Sequence, residues 1–332
     1  MKKKIKYFGL MMLAVCFQAT AQNPNLGTSG AQFLKIGVGA RAAALGGAYV
    51  AIVQDATAPF WNPAGITRIK SQAVHFSHTK WFDTFDVNAA SYVYNAGSFG
   101  ALAASVMVLG VDEMEITTEF SPNGTGRYFD AQDLALAVSY AKDLTDRFRV
   151  GLTARYLQQR IWNETANGVA FDVGTQYQLP FRNLTIAMCM SNFGPDIQYG
   201  GADLGVKWDR DAHFPNRLVP TLLETESFAL PLNFEFGVAM DLVRSKYAKA
   251  ILALDAVHPN DNHERIQLGS EITFFDRIAF RGGYKVNHDE ELYDLGFGIT
   301  AFFAGRPFSV DYAYSVFDLL PDVHRLSFGV SF

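Results

Sequence analysis

The chain has 332 residues, 49% hydrophobic, 14% aromatic and only 18% charged, with a formal charge of −5. That is too apolar for a disordered chain, and two cysteines are too few for a disulfide scaffold. A soluble globule would carry about 25% charged residues, so either this is a large soluble β-rich protein or the apolar residues are dispersed along strands that face lipid.

Lys2, Lys3, Lys4 and Lys6 precede an apolar stretch from Tyr7 to Phe17, and Ala19-Thr20-Ala21 supplies small residues for cleavage. This is the pattern of an export signal over residues 1–21, too short to anchor the chain, with Gln22 as the expected first mature residue. Leu13-Ala14-Val15-Cys16 is a poor lipoprotein box because Val precedes the Cys. Four of the 28 basic residues leave with the signal, so 24 face 33 acidic residues, a formal charge of −9. An acidic chain argues against a nucleic-acid partner. Only Cys189 remains, so no internal disulfide forms.

Residues 22–71 do not alternate. Ala40 to Ala44 and Asp55 to Ile69 read as short helices, with Asp55 a cap and Asn62-Pro63 a break. A structured piece ahead of the first strand is expected to fold back as a plug.

From residue 72 to 332 the period is two. Val169, Phe171, Val173 and Tyr177 oppose Ala170, Asp172, Gly174 and Gln176, and Phe280 and Tyr284 oppose Arg281, Gly283 and Lys285. The second face is Gly, Ala, Ser and Thr with isolated charges, which suits a crowded polar lumen better than open solvent. About fourteen such segments occur: 72–80, 85–95, 98–109, 131–141, 148–160, 168–178, 184–193, 226–241, 248–257, 264–273, 277–287, 291–302, 307–316 and 323–332. Each has the length of a tilted membrane-crossing strand. The expected fold is all-β and transmembrane, a fourteen-stranded antiparallel outer-membrane β-barrel with a short helical N-terminal plug. Turns after even strands are short and the two longest connections follow odd strands, which puts both barrel ends on the periplasmic side. The final face, Leu326, Phe328, Val330 and Phe332, ends on an aromatic, the usual recognition mark for outer-membrane insertion, though an ordinary final strand of a soluble β-protein can end the same way.

Several motifs have plainer readings than chemistry. Gly37-Val38-Gly39-Ala40-Arg41-Ala42 matches a loose dinucleotide fingerprint, but no strand and helix alternation follows. His258, Asp261 and His263 read as turn chemistry rather than a metal site, and Asp112, Glu113, Glu115 and Glu119 as a solvated loop. No nucleophile-elbow or zinc-protease motif is present, so no catalysis and no cofactor is expected. The inward charges Arg149, Arg155, Asp172, Glu235, Asp241, Arg281 and Lys285 either line a channel or, as a structural role, pair with one another across the lumen or with the plug.

Gly39-Ala40-Arg41-Ala42-Ala43-Ala44-Leu45-Gly46-Gly47-Ala48-Tyr49-Val50, then Asp55-Ala56-Thr57-Ala58 and Trp61-Asn62-Pro63-Ala64-Gly65, resembles the N-terminal signature of the PorV/PorQ family. That family is related to the FadL-like fourteen-stranded barrels. Gly124-Thr125-Gly126, Ser191-Asn192-Phe193-Gly194, Asp255 to Asp261 and Arg281-Gly282-Gly283-Tyr284 are similar to its recurring stretches. The resemblance implies an outer-membrane protein of a Gram-negative bacterium that binds exported proteins or secretion components in type IX secretion and surface attachment. Its alternative is a FadL-like transporter of hydrophobic small molecules. Gly39, Arg41, Gly46, Gly47, Asp55, Trp61, Asn62 and Pro63 carry the plug signature. Phe120, Tyr128, Phe129, Tyr199, Trp208 and Phe214, in long loops 111–130 and 194–225, are candidate aromatic anchors for a partner, or rim packing.

Overall fold

The computed structural model describes residues 26–82, 84–209, 218–288 and 290–332; the expected signal segment and Phe214 lie outside these. Fourteen strands form the wall: β1 (Gln72–Trp81), β2 (Phe85–Asn95), β3 (Ala101–Val111), β4 (Ala131–Asp143), β5 (Phe148–Ile161), β6 (Glu164–Gln178) and β7 (Thr185–Phe193), followed by β8 (Asn233–Arg244), β9 (Ala248–Pro259), β10 (Arg265–Phe274), β11 (Ile278–Val286), β12 (Glu291–Phe303), β13 (Arg306–Phe317) and β14 (Val323–Ser331). Each pairs antiparallel with its sequence neighbours, and β1 pairs with β14 from Ala73↔Ser331 to Lys80↔His324, closing the barrel. Closure is what hydrocarbon demands, because an unpaired backbone amide there costs several kcal/mol.

The side chains are inverted relative to a soluble protein. Arg149, Asp172, Asp255, Glu271 and Asp294 are buried, whereas Leu295, Ile299, Phe280 and Phe171 are about half exposed. Phe99, Phe181, Tyr247, Phe275, Phe303 and Phe332 are exposed at the end with the short turns, forming an aromatic girdle. The short turns are residues 96–100, 144–147, 179–184, 245–247, 275–277 and 304–305; the other end carries the long loops 112–130 and 194–232.

Three strands start three or more residues from where the alternation indicates; β3 begins at Ala101 rather than 98, after a 3₁₀ turn at Gly97–Phe99. β6 begins at Glu164, because Ile161 pairs with Glu164 across a two-residue turn at Trp162-Asn163. β8 begins at Asn233 rather than 226. Pro231 has no N–H for a ladder, and Ser227–Phe228 pairs instead with Ile197 and Gln198 of the preceding loop.

The N-terminal segment lies inside the wall. α1 (Ala40–Ala43), α2 (Ala58–Trp61) and a 3₁₀ turn at Pro63–Arg68 follow one another, with the Asn62 side chain accepting from the Ala64 N–H at the break. Tyr49, Val53, Ile66 and Ile69 pack against Ala73, Val93, Ala101 and Ala141 and fill the lumen toward the short turns. Gly46 has φ +65° and sits against the backbone of Gly283 and Tyr284 in β11, where a Cβ would come 2.9 Å from the Tyr284 nitrogen. Glycine is required on both counts.

Candidate functional site

Three anchor points tie the N-terminal segment to the wall. At the long-loop end, Ser29, Gln32 and Lys35 all donate to one oxygen of Asp261, in the turn after β9, with Lys35 Nζ at 2.5 Å. In the middle, Arg41 gives Glu271 of β10 two hydrogen bonds of 2.8 Å, and Glu271 also accepts from Arg281, which in turn reaches Asp311 at 2.7 Å. Arg41 also donates to Asp55 at 3.2 Å, which takes the Tyr49 hydroxyl at 2.6 Å and the Thr57 hydroxyl. Nearby, Asp255 of β9 accepts the Tyr49 and Val50 amides at 2.7 and 3.0 Å. Toward the short turns, Asn62 donates to the carbonyls of Val50 and Thr175, both at 3.1 Å.

Burial sets the electrostatics, and partners correct it. Burial pushes the Tyr49 phenol up. Burial also pushes the Asp55 carboxyl up, but Arg41 and the hydrogen bonds from Thr57 and Tyr49 outweigh it and hold Asp55 below the usual range. Asp261 is held low in the same way, by Lys35, Ser29 and Gln32 against its own burial.

The signature residues converge on this arrangement. Gly39 (φ +94°) faces Thr57 and His75, Gly47 lies against Gln267, Trp61 Nε1 donates to Val38 O at 2.8 Å, and Pro63 lies against Gly151. The inward charges mostly pair with neighbours: Arg155 with Asp172 at 2.7 Å, Lys285 with Glu291 at 2.5 Å, Arg149 with Asp143 at 3.3 Å and Asp241 with Arg244 at 3.0 Å. Glu235 accepts from Asn233 at 2.6 Å. Asp255, Asp294 and Arg325, equally inward and buried, were not singled out, although the same alternation marks their faces. His258 bonds Glu264 at 3.1 Å, so His258 and Asp261 have separate partners, and His263 is exposed. Glu115 accepts the Gly126 N–H at 2.9 Å within its own loop.

The wall is irregular at β7. The pairing slips between Phe171↔Phe193 and Val173↔Met190, and Asn192 (φ 61°) gives its N–H to Asp172 at 2.8 Å instead of to the ladder. Above this bulge the upper part of β6 pairs with the loop strand Ile197–Gly201, from Tyr199↔Ala166 to Gly201↔Glu164, leaving 167–170 as a seam. Buried Ile197 packs on Gly168 there. Behind the seam, toward the long loops, lies a cavity of about 820 Å³ bordered by Asn192, Tyr199, Phe228 and Pro231.

Above the wall stand two hairpins. Met114–Glu115 pairs with Tyr128–Phe129, and Gly205–Asp209 with Leu218–Leu222. They approach one another at the β5 to β6 turn, where Arg127 lies over Trp162 at 5.9 Å and Asn163 donates to Asp203 at 2.9 Å. Phe120 is 95% exposed, and Tyr128, Trp208 and Leu222 are also exposed. Phe129 is half-buried, and Tyr199 borders the cavity instead of projecting outward.

These features define a closed fourteen-stranded barrel of the outer membrane with the FadL-like architecture. The sequence family described as Type IX secretion system protein PorV matches residues 18–204, more than half of the chain, and the chain belongs to that family. It is an outer-membrane barrel of the type IX secretion kind. Similar solved structures include the Ralstonia pickettii toluene transporter TbuX (TM-score 0.58, 12% identity, 89% of this chain and 98% of that one) and the Pseudomonas putida toluene transporter TodX (0.57, 11%, 89% and 97%). The monoaromatic hydrocarbon channel CymD is also similar (0.56, 13%, 90% and 98%). At these identities the likeness concerns the fold. No curated protein matches the chain.

Proposed function

We propose that the protein acts by binding, not catalysis: its two outer hairpins hold an exported protein or a secretion component at the cell surface, while the N-terminal segment plugs the barrel. The observation that carries this reading is the placement of apolar surface. Toward the short turns the segment covers the apolar side chains of the lumen, whereas Phe120, Trp208, Leu222 and Leu223 stand uncovered on the loops, outside the lipid belt. Exposed aromatic and aliphatic anchors on a rigid base are what a protein interface uses. A photo-crosslinker at Phe120 or Trp208 should capture an exported or translocon protein in intact cells; capture of lipopolysaccharide alone would argue against it.

A second reading rests on the seam. The cavity reaches Ser191 and Asn192 at the interrupted ladder of β7, beside the seam where Ile197 packs on Gly168. That geometry supports lateral passage of an apolar small molecule.

A further inference from the structure

The two ends of the barrel carry opposite charge. In or beside five of the six short turns stand exposed Lys142, Arg147, Arg182, Lys246, Arg277 and Arg306, against exposed Asp143, Asp146 and Asp276. Asp143 is already engaged by Arg149 at 3.3 Å, and none of the six cations makes an ion pair among the described residues. The long loops are the reverse. Asp112, Glu113, Glu119, Glu224 and Glu226 are exposed there, with Arg127 and Lys207 the exposed bases among the described residues of loops 112–130 and 194–232. A chain of formal charge −5 thus keeps a basic rim at one end only.

Three of these cations sit on the aromatic girdle. Arg182 lies 5.8 Å over the Phe181 ring, Lys246 Nζ 5.8 Å over Tyr247, and Arg306 4.9 Å over Phe332. Tyr247 packs edge-on against Phe275 at 5.9 Å, and the Phe275 N–H donates to the Tyr247 carbonyl at 2.9 Å. The turns bearing Lys246 and Arg277 therefore meet at one two-ring platform. A girdle ring lies at headgroup height, and a cation held over it is placed at the depth of the lipid phosphates. With no carboxylate to pair with, such a cation has the phosphodiester as its acceptor. The shape of the collar favours lipid over protein: its bases run round five turns too short to project, which matches a surrounding leaflet better than one docked partner.

We propose that this collar binds the headgroups of anionic phospholipid in the leaflet at the short-turn end, with its tightest position at Lys246, Tyr247, Phe275 and Arg277. The site lies outside the lumen and at the opposite end from the hairpins, so its failure leaves the partner-binding reading untouched.

The test is native mass spectrometry of the full-length barrel, released from zwitterionic detergent micelles that hold equimolar dioleoyl-phosphatidylglycerol and dioleoyl-phosphatidylcholine. Phosphatidylglycerol should be retained about fivefold or more over phosphatidylcholine, the worth of one Lys or Arg near an anionic surface. The preference should shrink as salt is raised about tenfold. Lys246→Gln combined with Arg277→Gln should lower it severalfold, and Lys207→Gln at the other end should leave it unchanged. Should the double variant lack the heat-modifiable gel mobility of a folded barrel, Arg182→Gln and the salt dependence of the parent provide the second arm. Equal retention of the two lipids, a preference indifferent to salt, one that survives the collar substitutions, or one that Lys207→Gln lowers as much overturns the proposal; the first would leave the collar to an acidic protein.

Discussion

Arg41 and Glu271 lie 230 residues apart and meet through two parallel hydrogen bonds of 2.8 Å, so the short helix Ala40–Ala43 closes on a strand of the barrel's second half. The pair is charge-assisted and bidentate, the strongest form such a contact takes. Arg281 shares the same carboxylate, which places one wall cation and one segment cation on a single anion.

Removing Arg41 takes charge-assisted hydrogen bonds from Glu271 and from the partly exposed Asp55, at a cost of about 1.5 to 3 kcal/mol. Arg41→Met strands Asp55 while Glu271 keeps Arg281, so the loss should concern the N-terminal segment more than the wall. Limited proteolysis should cut residues 26–69 in this variant while the barrel keeps its heat-modifiable mobility. A segment as protected as in the parent would contradict this role for Arg41.

Gly283 allows the closest approach of segment to wall, since a Cβ there would meet the Gly46 and Leu45 backbone. Backbone cannot swing away as a side-chain tip can. Gly283→Val should therefore displace the segment at a cost of about 2 kcal/mol or more, read as a lower thermal midpoint. An unchanged midpoint would show that the contact is looser than described.

Asp55 and Asp261 are both held below the ordinary carboxylate value. Their contribution to stability is complete above about pH 4, the unfolded value, and is lost as the pH falls through their lower folded values. Acid therefore removes the acceptor of the long-loop anchor at Asp261 and, at Asp55, an acceptor within the segment itself. Pepsin digestion near pH 2 to 3 should release N-terminal peptides while the strands resist. Full protection of the segment at that pH would contradict the assignment.

Ile197 is the side chain wedged against Gly168 at the seam. If the seam passes apolar solutes, Ile197→Ser should raise uptake of an apolar fluorescent probe by intact cells severalfold. A rate equal to the parent's would count against lateral passage and leave the hairpin reading untouched.

Alternation made most of the wall legible because each strand separates lipid-facing from lumen-facing residues without exception for long stretches. Arg155, Asp172, Arg281 and Lys285 could be assigned to the inner face from their parity alone. Their partners could not, because pairing depends on the stagger between strands. Asp255 shows the limit: parity puts it inside, but its acceptance of the Tyr49 and Val50 amides depends on where the N-terminal segment settles. The bulge at Asn192 escaped for a similar reason, since one extra residue in a ladder leaves no mark in composition. Tyr199 looked like a loop aromatic and instead borders the cavity, because residues 197–201 extend the sheet of β6.

The most direct test of the account is the surface proteome of a strain lacking this gene. Exported proteins should disappear from the cell surface and accumulate in the periplasm, and the parent protein should restore them. A barrel with residues 202–223 replaced by a short turn should not restore them, although it inserts normally. An unaltered surface proteome in the deletion strain would contradict the central claim.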